Sequence, residues 1–229
     1  MPEISSANLL TAVIVLCMAS TFALLYYARV SLPRKIERRM RQSVSAFATA
    51  VELRIPSHKG LSERVAILSQ AVAKQMGLSL QARKNLELAS QLRDIGLVAV
   101  PYELLNHKSA FAWDDADWDT YFRHPEVGGA MLELVPWLRH LAPIVRLHHR
   151  PYAGDQDVFP GRTDIPIESR VLKAVSDYVW NSKHQGALLA RDTLKRGKGS
   201  EYDPAVAEAL LAVLTSKSGE PASPSYAQV

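Results

Sequence analysis

Apolar side chains recur at intervals of three and four residues along most of the chain, which is the period of an amphipathic α-helix. In residues 33–54 the positions Ile36, Met40, Val44 and Phe47 share one helical face. A break at residues 56–60 separates this stripe from a second one, which consists of Leu61, Val65, Leu68, Val72 and Met76. No segment alternates apolar and polar residues over a useful length. We therefore predict an all-α fold.

Capping residues mark where several of these helices begin. Ser79 is placed to cap a helix that runs to about residue 94. Asp203 followed by Pro204 is a second start signal, because proline suits the first helical position. The acidic cluster of Asp114, Asp115, Asp117 and Asp119 also favours the positive end of a helix. Helices are predicted over residues 117–122, 125–134, 137–148, 167–182 and 203–214, and a loop over residues 149–166.

The first apolar run has no polar face. Residues 9–27 carry no charge, and a helix of that length spans roughly 28 Å, close to the hydrocarbon thickness of a bilayer. Tyr26 and Tyr27 lie at its end, where aromatic rings favour the interface. A cleaved signal peptide would have basic residues before the apolar run, but the only charged side chain before this run is Glu3. We predict a transmembrane helix at residues 9–28 after a short extracytoplasmic N-terminus, residues 1–8.

The excess positive charge lies directly after this run. The chain has a formal net charge of +4, and residues 29–41 hold six basic side chains against one acid, Glu37. From Gln42 onward acids and bases are equal in number. The domain therefore lacks the basic face of a nucleic-acid-binding protein, and we expect no nucleic-acid partner. The positive-inside rule places everything after the span in the cytoplasm. Residues 29–57 are predicted as a basic juxtamembrane helical linker, residues 58–216 as the domain, and residues 217–229 as a disordered tail.

Candidate chemistry is concentrated in a few histidines and acids. His124, His148 and His149 lie on predicted helices or at their ends, and Asp94 and Asp177 are acids in apolar surroundings. Imidazoles and carboxylates together suit divalent Fe, Mn or Zn. The alternative is that these residues are helix caps or surface groups. The four tryptophans, Trp113, Trp118, Trp137 and Trp180, are predicted to be packing residues rather than a ligand cage.

Six segments in order resemble the HD-GYP family of helical, metal-dependent cyclic di-GMP phosphodiesterases. They are GLSERVAILSQAVAKQMGLS, ASQLRDIGLVAVPYELLN, FRHPEVGGAMLELVP, APIVRLHHRPYAG, TDIPIESRVLKAVSDY and GSEYDPAVAEALL. The resemblance covers most of the chain after residue 60. It implies a helical HD-type phosphohydrolase bundle. With the transmembrane helix predicted before it, the protein is expected in a bacterial inner membrane.

The resemblance also implies that parts of the family's site have been replaced. The metal-binding His-Asp pair of the family falls on Arg93 and Asp94, so the histidine is lost. The lysine that follows it falls on Leu97, and the histidine that opens the first helix falls on Leu61. His124, His148 and His149 match the family's histidines.

Two later positions depart from the family as well. The second metal-binding aspartate lands on Ser176, and Asp177 would point about 100° away around a helix. Residues 157–160 replace the glycine-tyrosine-proline loop. Because a guanidinium opposes a cation at the same place and can pair with Asp94, we expect weakened metal binding and no hydrolysis at family rates.

Two functional hypotheses follow. The leading one is a membrane-tethered, degenerate, inactive member that has no cofactor and acts as a binding or regulatory module in cyclic di-GMP-type signalling. Its ligand would be cyclic di-GMP, bound through Arg93 and the histidines, or a diguanylate cyclase-type protein that contacts the surface around Phe159. The alternative is residual cyclic di-GMP hydrolysis at a single divalent transition metal held by Asp94, His124, His148 and His149.

Overall fold

The structure, a computed structural model, describes residues 5–154 and 165–216, except for the side chain of Phe111. In these residues the backbone forms helices and turns without a strand, apart from an isolated bridge between Lys198 and Tyr202. The predicted all-α class is therefore confirmed. Phe159, the rest of the loop at residues 157–160 and the tail at residues 217–229 lie outside the described residues.

The chain divides into two units between Ser43 and Val44. The first unit contains α1 (Ser6–Tyr26), a π-helical turn (Tyr27–Ser31) and the beginning of α2 (Leu32–Arg54). The helical stretch Ser6–Arg54 contains a segment long and apolar enough to cross a membrane, and none of that segment is buried. Exposed apolar side chains are what a helix presents to lipid.

The second unit begins with the last turns of α2, where Val44, Ala48 and Val51 are buried. Two charged side chains near the end of α2 connect it to later turns. The Glu52 carboxylate accepts hydrogen bonds from the backbone N–H groups of Gly60 (2.9 Å) and Ser62 (2.7 Å). These N–H groups lie at the start of α3, where a helix has no internal partners for them, so Glu52 acts as its cap.

Arg54 makes the second connection. Its guanidinium donates to the backbone carbonyls of Leu97 (2.6 Å) and Val100 (2.9 Å). Both carbonyls belong to the segment that follows Asp94. The apolar side chains around this junction form a small core of their own, which consists of Val51, Ile55, Leu97, Val100 and Leu104.

The main core lies between four helices: α3 (Leu61–Gln75), α4 (Leu80–Leu92), α9 (Ile167–Gln185) and α11 (Pro204–Thr215). Their apolar stripes face one another, and Val72, Leu86, Leu172 and Leu210 have no exposed surface. Two predicted start signals are confirmed. Ser79 Oγ accepts from the Ala82 N–H at 3.1 Å, and the Asp203 carboxylate accepts from the Ala205 N–H at 2.8 Å.

The remaining helices are short. They are α5 (Tyr102–Asn106), α6 (Asp115–Tyr121), α7 (His124–Glu133), α8 (Ala142–Arg146) and α10 (Ala187–Arg196). The turns Pro56–His58, Ile95–Ala99, Ala110–Ala112 and Arg139–Leu141 are 3₁₀ helices. The predicted helix over residues 137–148 is interrupted, because Pro143 has no N–H and suits only the first turn of a new helix. Helices α5 and α10 were not predicted from the sequence.

Candidate functional site

A cavity of about 600 Å³ opens in the second unit. Its lining comes from the turn before α3, the end of α4, the segment around α6, the residues after α8, and α9. A cavity of this size is in the range that binds small ligands. Most of the site residues described below line this cavity, and His124 lies beside it, next to Asp94 and His148.

A close approach of two backbones positions the first of them. The turn Ile95–Ala99 packs against α7, and a Cβ atom on Gly96 would lie 2.6 Å from the backbone nitrogen of Gly128. Only glycine allows this distance. The contact holds Asp94, directly before the turn, beside His124, the first residue of α7, with Asp94 Oδ1 3.9 Å from His124 Nε2.

Three histidines form the core of the site. His124, His148 and His149 each place a ring nitrogen within 4.8 Å of the others. The Nδ1 atom of His124 lies 2.7 Å from the Tyr121 carbonyl, and that of His148 lies 2.6 Å from the Val145 carbonyl. A carbonyl oxygen only accepts, so each Nδ1 carries the hydrogen and each Nε2 keeps its lone pair.

The Nε2 atoms of all three histidines are buried. The Nε2 atoms of His124, His148 and His149 have no hydrogen-bond partner among the described residues. Burial lowers the pKa of His148 to about 3 and lowers the pKa values of His124 and His149 as well. The rings are therefore neutral at pH 7. Neutral imidazoles oriented by backbone carbonyls are the arrangement found in protein metal sites.

The Asp94 carboxylate forms an ion pair with the neighbouring side chain, Arg93. Arg93 Nη2 lies 2.7 Å from Asp94 Oδ2, and Arg93 Nη1 donates to the Ser90 carbonyl at 2.7 Å. Burial opposes ionisation of Asp94, but Arg93 together with the neighbouring histidines outweighs it and keeps the pKa of this carboxyl below its usual value. The ion pair predicted from the sequence is present, and one carboxylate oxygen is committed to it.

The donor set fits one divalent ion. Three imidazole nitrogens with unshared lone pairs and Asp94 Oδ1 supply four possible ligands, a sufficient number for a transition metal. A second ion beside Asp94 is opposed by the Arg93 guanidinium, which is 4% exposed and cannot be deprotonated.

His58 belongs to the site, although the sequence did not indicate it. It is buried in the turn before α3 and lines the cavity, with Nδ1 4.0 Å from Asp94 Oδ2. Burial lowers its pKa to about 4. The sequence interpretation assigned the position of the family histidine to Leu61, which is buried and also lines the cavity. A histidine in a Pro-Ser-His turn just before that position was the available signal.

A second ionic group lies on α9. Lys173 Nζ is 3.2 Å from Asp177 Oδ2 and 3.2 Å from Glu201 Oε2, and the Tyr202 hydroxyl donates to Asp177 Oδ2 at 3.1 Å. Burial alone lowers the pKa of Lys173, but the two carboxylates reverse this effect and raise it. Lys173 therefore stays charged and holds Asp177.

The positions predicted as replaced have different surroundings. Ser176 and Asp177 both line the cavity, so the rotation between them does not remove Asp177 from it. Ser176 Oγ is buried and has no partner among the described residues. Leu97 is fully buried in the small core and is absent from the cavity lining that the structure describes.

The tryptophans have two roles. Trp113, Trp118 and Trp180 line the cavity, which the sequence did not indicate, and Trp113 and Trp180 also pack against the small core and the main core, as predicted. Trp137 does pack, partly buried, against the main core. Single-residue patterns could not distinguish these roles, because an aromatic ring in a core and one in a cavity wall have the same helical spacing.

Comparisons with known proteins agree on the type of domain. Residues 45–206 match the family described as HD domain. The cyclic di-GMP phosphodiesterase response regulator RpfG of Xanthomonas campestris pv. campestris (strain 8004) is 28% identical over 187 residues, which cover 77% of this chain and 49% of that protein. The 3'3'-cGAMP-specific phosphodiesterase 2 of Vibrio cholerae serotype O1 is 25% identical over 204 residues, 82% of this chain and 37% of that protein.

Among solved structures, the HD domain of the L. monocytogenes phosphodiesterase PgpH in complex with cyclic-di-AMP matches with a TM-score of 0.49 at 15% identity, covering 74% of this chain and 95% of that chain. The chain spans about half, or less, of the length of the two curated relatives described above.

Proposed function

The chain belongs to the HD domain family and is similar to its HD-GYP-type phosphodiesterases, and on that premise we propose that it is a membrane-tethered cyclic dinucleotide-binding module without phosphodiesterase activity. The observation that carries this proposal is the ion pair of Arg93 and Asp94, with nitrogen and oxygen 2.7 Å apart. HD domains usually bind divalent metals, and here a fixed cation takes the place beside the aspartate.

The electrostatics of the pair favour binding over hydrolysis. Removing a metal ligand, or a group that orients it, lowers metal affinity or activity by roughly tenfold to a hundredfold. Arg93 removes the histidine and adds a positive charge, and Lys173 binds the carboxylate of Asp177. A guanidinium recognises phosphate oxygens well, so Arg93 can contribute to binding an anionic ligand that it does not help to cleave.

The ligand class comes from the relatives. RpfG is named as a cyclic di-GMP phosphodiesterase and the Vibrio cholerae protein as a 3'3'-cGAMP-specific one. The cavity of about 600 Å³, lined by aromatic rings and two buried cations, suits a ligand with flat bases and phosphates. We take cyclic di-GMP as the first candidate.

The membrane attachment is part of the proposal. The apolar segment of α1 would span a bacterial inner membrane once, at about residues 9–28, and the basic residues 29–41 would hold the following domain on the cytoplasmic side. A diguanylate cyclase-type partner stays a prediction, because the surface proposed for it includes Phe159, which lies outside the described residues.

A second candidate function rests on the three free imidazole nitrogens. One Fe, Mn or Zn ion would be held by His124, His148, His149 and Asp94, and slow hydrolysis of cyclic di-GMP would follow. A divalent ion there would supply a Lewis acid for a phosphoryl oxygen. The chain's own contribution would be to orient the rings through the Tyr121 and Val145 carbonyls.

The two candidates are separated by measuring metal content, binding and turnover on the full chain in detergent. The binding module is expected to release heat on titration with cyclic di-GMP and to show no linear product, with or without added Mn. One bound metal together with product formation that a chelator abolishes would select the second candidate. Two bound metals with rapid turnover, or no cyclic di-GMP binding at millimolar concentration, would contradict the proposal. His140→Ala, an exposed histidine outside the cavity, is the control.

A further inference from the structure

Four aromatic residues on and around α6 form one wall of the cavity. This aromatic wall consists of Trp113, Trp118, Tyr121 and Phe122. The ring centroids of Trp113 and Trp118 are 4.8 Å apart in an edge-on arrangement, and those of Trp113 and Tyr121 are 5.2 Å apart. Trp113 therefore contacts both Trp118 and Tyr121 within the wall.

The backbone beneath the wall is fixed. Asp114 and Asp117 form a capping box at the start of α6, each accepting the other's backbone N–H. Lys108 pairs with Asp117, and Trp113 Nε1 donates to the Lys108 carbonyl at 3.2 Å. Because the backbone of this segment is already fixed, less conformational entropy is lost when a ligand binds to its rings.

Two residues of the wall are partly exposed. Trp118 and Phe122 lie nearly parallel, with centroids 5.5 Å apart and an interplanar angle of 22°. They are 37% and 50% exposed although both line the cavity. Exposing apolar aromatic surface to water is unfavourable, so these rings gain by being covered. Parallel rings on a rigid wall form a platform that a further flat ring can extend.

The wall adjoins the histidine cluster. The rings of Phe122 and His149 are 5.4 Å apart, and the Tyr121 carbonyl is the one that orients His124. His124 Nε2 is fully buried and without a partner among the described residues. A ligand with one ring on the platform would thus reach into the cavity beside the imidazoles. Arg93 lines the same cavity and can donate hydrogen bonds to the ligand's phosphate.

We propose that Trp118 and Phe122 form a stacking subsite for one nucleobase of a nucleotide whose phosphate faces Arg93. The nucleotide class rests on the proposed function, and the subsite deepens it. Stacking selects by ring area and not by the hydrogen-bonding edge, since every base has a π-face. The subsite therefore accepts guanine and adenine alike and prefers both to a pyrimidine.

The test separates the base from the phosphate. Wild-type full chain in detergent is titrated calorimetrically with GMP, AMP, UMP and ribose 5-phosphate, the last of which carries the same phosphate without a base. We expect GMP and AMP to bind with similar affinity, UMP more weakly, and ribose 5-phosphate most weakly. Trp118→Ala is expected to weaken GMP binding by about 5- to 150-fold, which corresponds to the range for stacking on one aromatic ring, and to leave ribose 5-phosphate unchanged.

Two variants control the experiment. Trp118→Phe keeps a flat ring and should retain most of the GMP affinity, and it also reports on the subsite if Trp118→Ala does not fold. Leu188→Ala removes an apolar side chain that is 81% exposed and outside the cavity lining, and it should change nothing.

The outcomes decide the subsite and the proposed function separately. Equal affinity for GMP and ribose 5-phosphate, no binding of either, or an equal loss of both in Trp118→Ala would overturn the subsite. Cyclic di-GMP binding that is insensitive to Trp118→Ala would overturn the subsite and leave the proposed function standing. A base preference lost in Trp118→Ala, in a protein that does not bind cyclic di-GMP, would support the subsite and refute the proposed function.

Discussion

The histidine side and the carboxylate side of the cavity solve the problem of burying polar groups in different ways. On the histidine side, His124 and His148 bind backbone carbonyls through Nδ1, and their Nε2 atoms are left without partners among the described residues. On the carboxylate side, Asp94 pairs with Arg93 and Asp177 pairs with Lys173. The histidine side leaves its imidazole Nε2 nitrogens free, and the carboxylate side neutralises its charges with neighbouring cations.

This difference indicates which half of the site can still act on a ligand. A buried neutral imidazole without a partner has a lone pair to offer at no electrostatic cost. A buried carboxylate that is already paired must lose its cation before it binds another one, and that loss is costly. The histidine side is thus available to a metal, and the carboxylate side is closed to a further cation by Arg93 and Lys173.

The largest expected effect is the response of stability to pH. Burial lowers the pKa of His58 to about 4 and that of His148 to about 3. Below about pH 6.5 the unfolded chain takes up protons that the folded protein does not, so the free energy of unfolding falls as the pH falls. The slope is about 1.4 kcal/mol per pH unit for each such histidine. It extends from the unfolded pKa near 6.5 down to about pH 4.

Urea unfolding of the metal-free full chain in detergent, between pH 8 and pH 4.5, measures this slope. His58→Gln should reduce this slope by about 1.4 kcal/mol per pH unit, which corresponds to one proton. His140→Gln, on an exposed histidine outside the cavity, is the matched control. A free energy of unfolding that stays constant from pH 7 to pH 5 in the wild type would mean that His58 and His148 are not buried as neutral imidazoles.

The next effect concerns Arg93→His. This change removes the guanidinium from Asp94 and adds an imidazole beside His58, which lies 4.0 Å from the same carboxylate oxygen. We expect metal affinity to rise by about tenfold to a hundredfold, with a second equivalent of Mn or Zn bound. Metal content after dialysis gives the answer. Arg93→His combined with His58→Ala should lose the second equivalent, whereas unchanged stoichiometry in Arg93→His would show that the ion pair is not what closes this side.

The smallest effect comes from Lys173→Met. The lysine side chain is 10% exposed, but its partners Asp177 and Glu201 are 26% and 54% exposed, so solvent screens the pair. The loss should be about 1 kcal/mol of unfolding free energy. Lys198→Met removes a pair with Glu208 whose side chains are 44% and 65% exposed, and it should cost less. Equal losses in thermal unfolding would show that Lys173 has no special role at the cavity.

The sequence predicted what depends on local pattern. Helical spacing and the caps Ser79 and Asp203 gave the long helices, and adjacency along the chain gave the pairing of Arg93 with Asp94. The order of the motifs predicted that His124, His148 and His149 lie close together, and the structure confirms it. These features depend on neighbours in sequence or on a resemblance across many segments.

What the sequence missed depends on direction in space. His58 lies in a 3₁₀ turn, where no periodicity indicates which way a side chain points. Lys173 is on α9, and its role is set by Glu201, which comes from a distant segment. Trp118 has the spacing of a packing residue, and only the tertiary arrangement opens a cavity beside it. Short helices such as α5 have too few turns to show a stripe.

The hydrogen bonds of Glu52 and Arg54 determine where a soluble fragment can be cut. A fragment that starts at residue 58 would leave the amides of Gly60 and Ser62 and the carbonyls of Leu97 and Val100 without the groups that now satisfy them. It would also remove Val51 and Ile55 from the small core. Crystallisation and NMR samples should therefore begin before Val44, so that the last turns of α2 are expressed together with the segments that they secure.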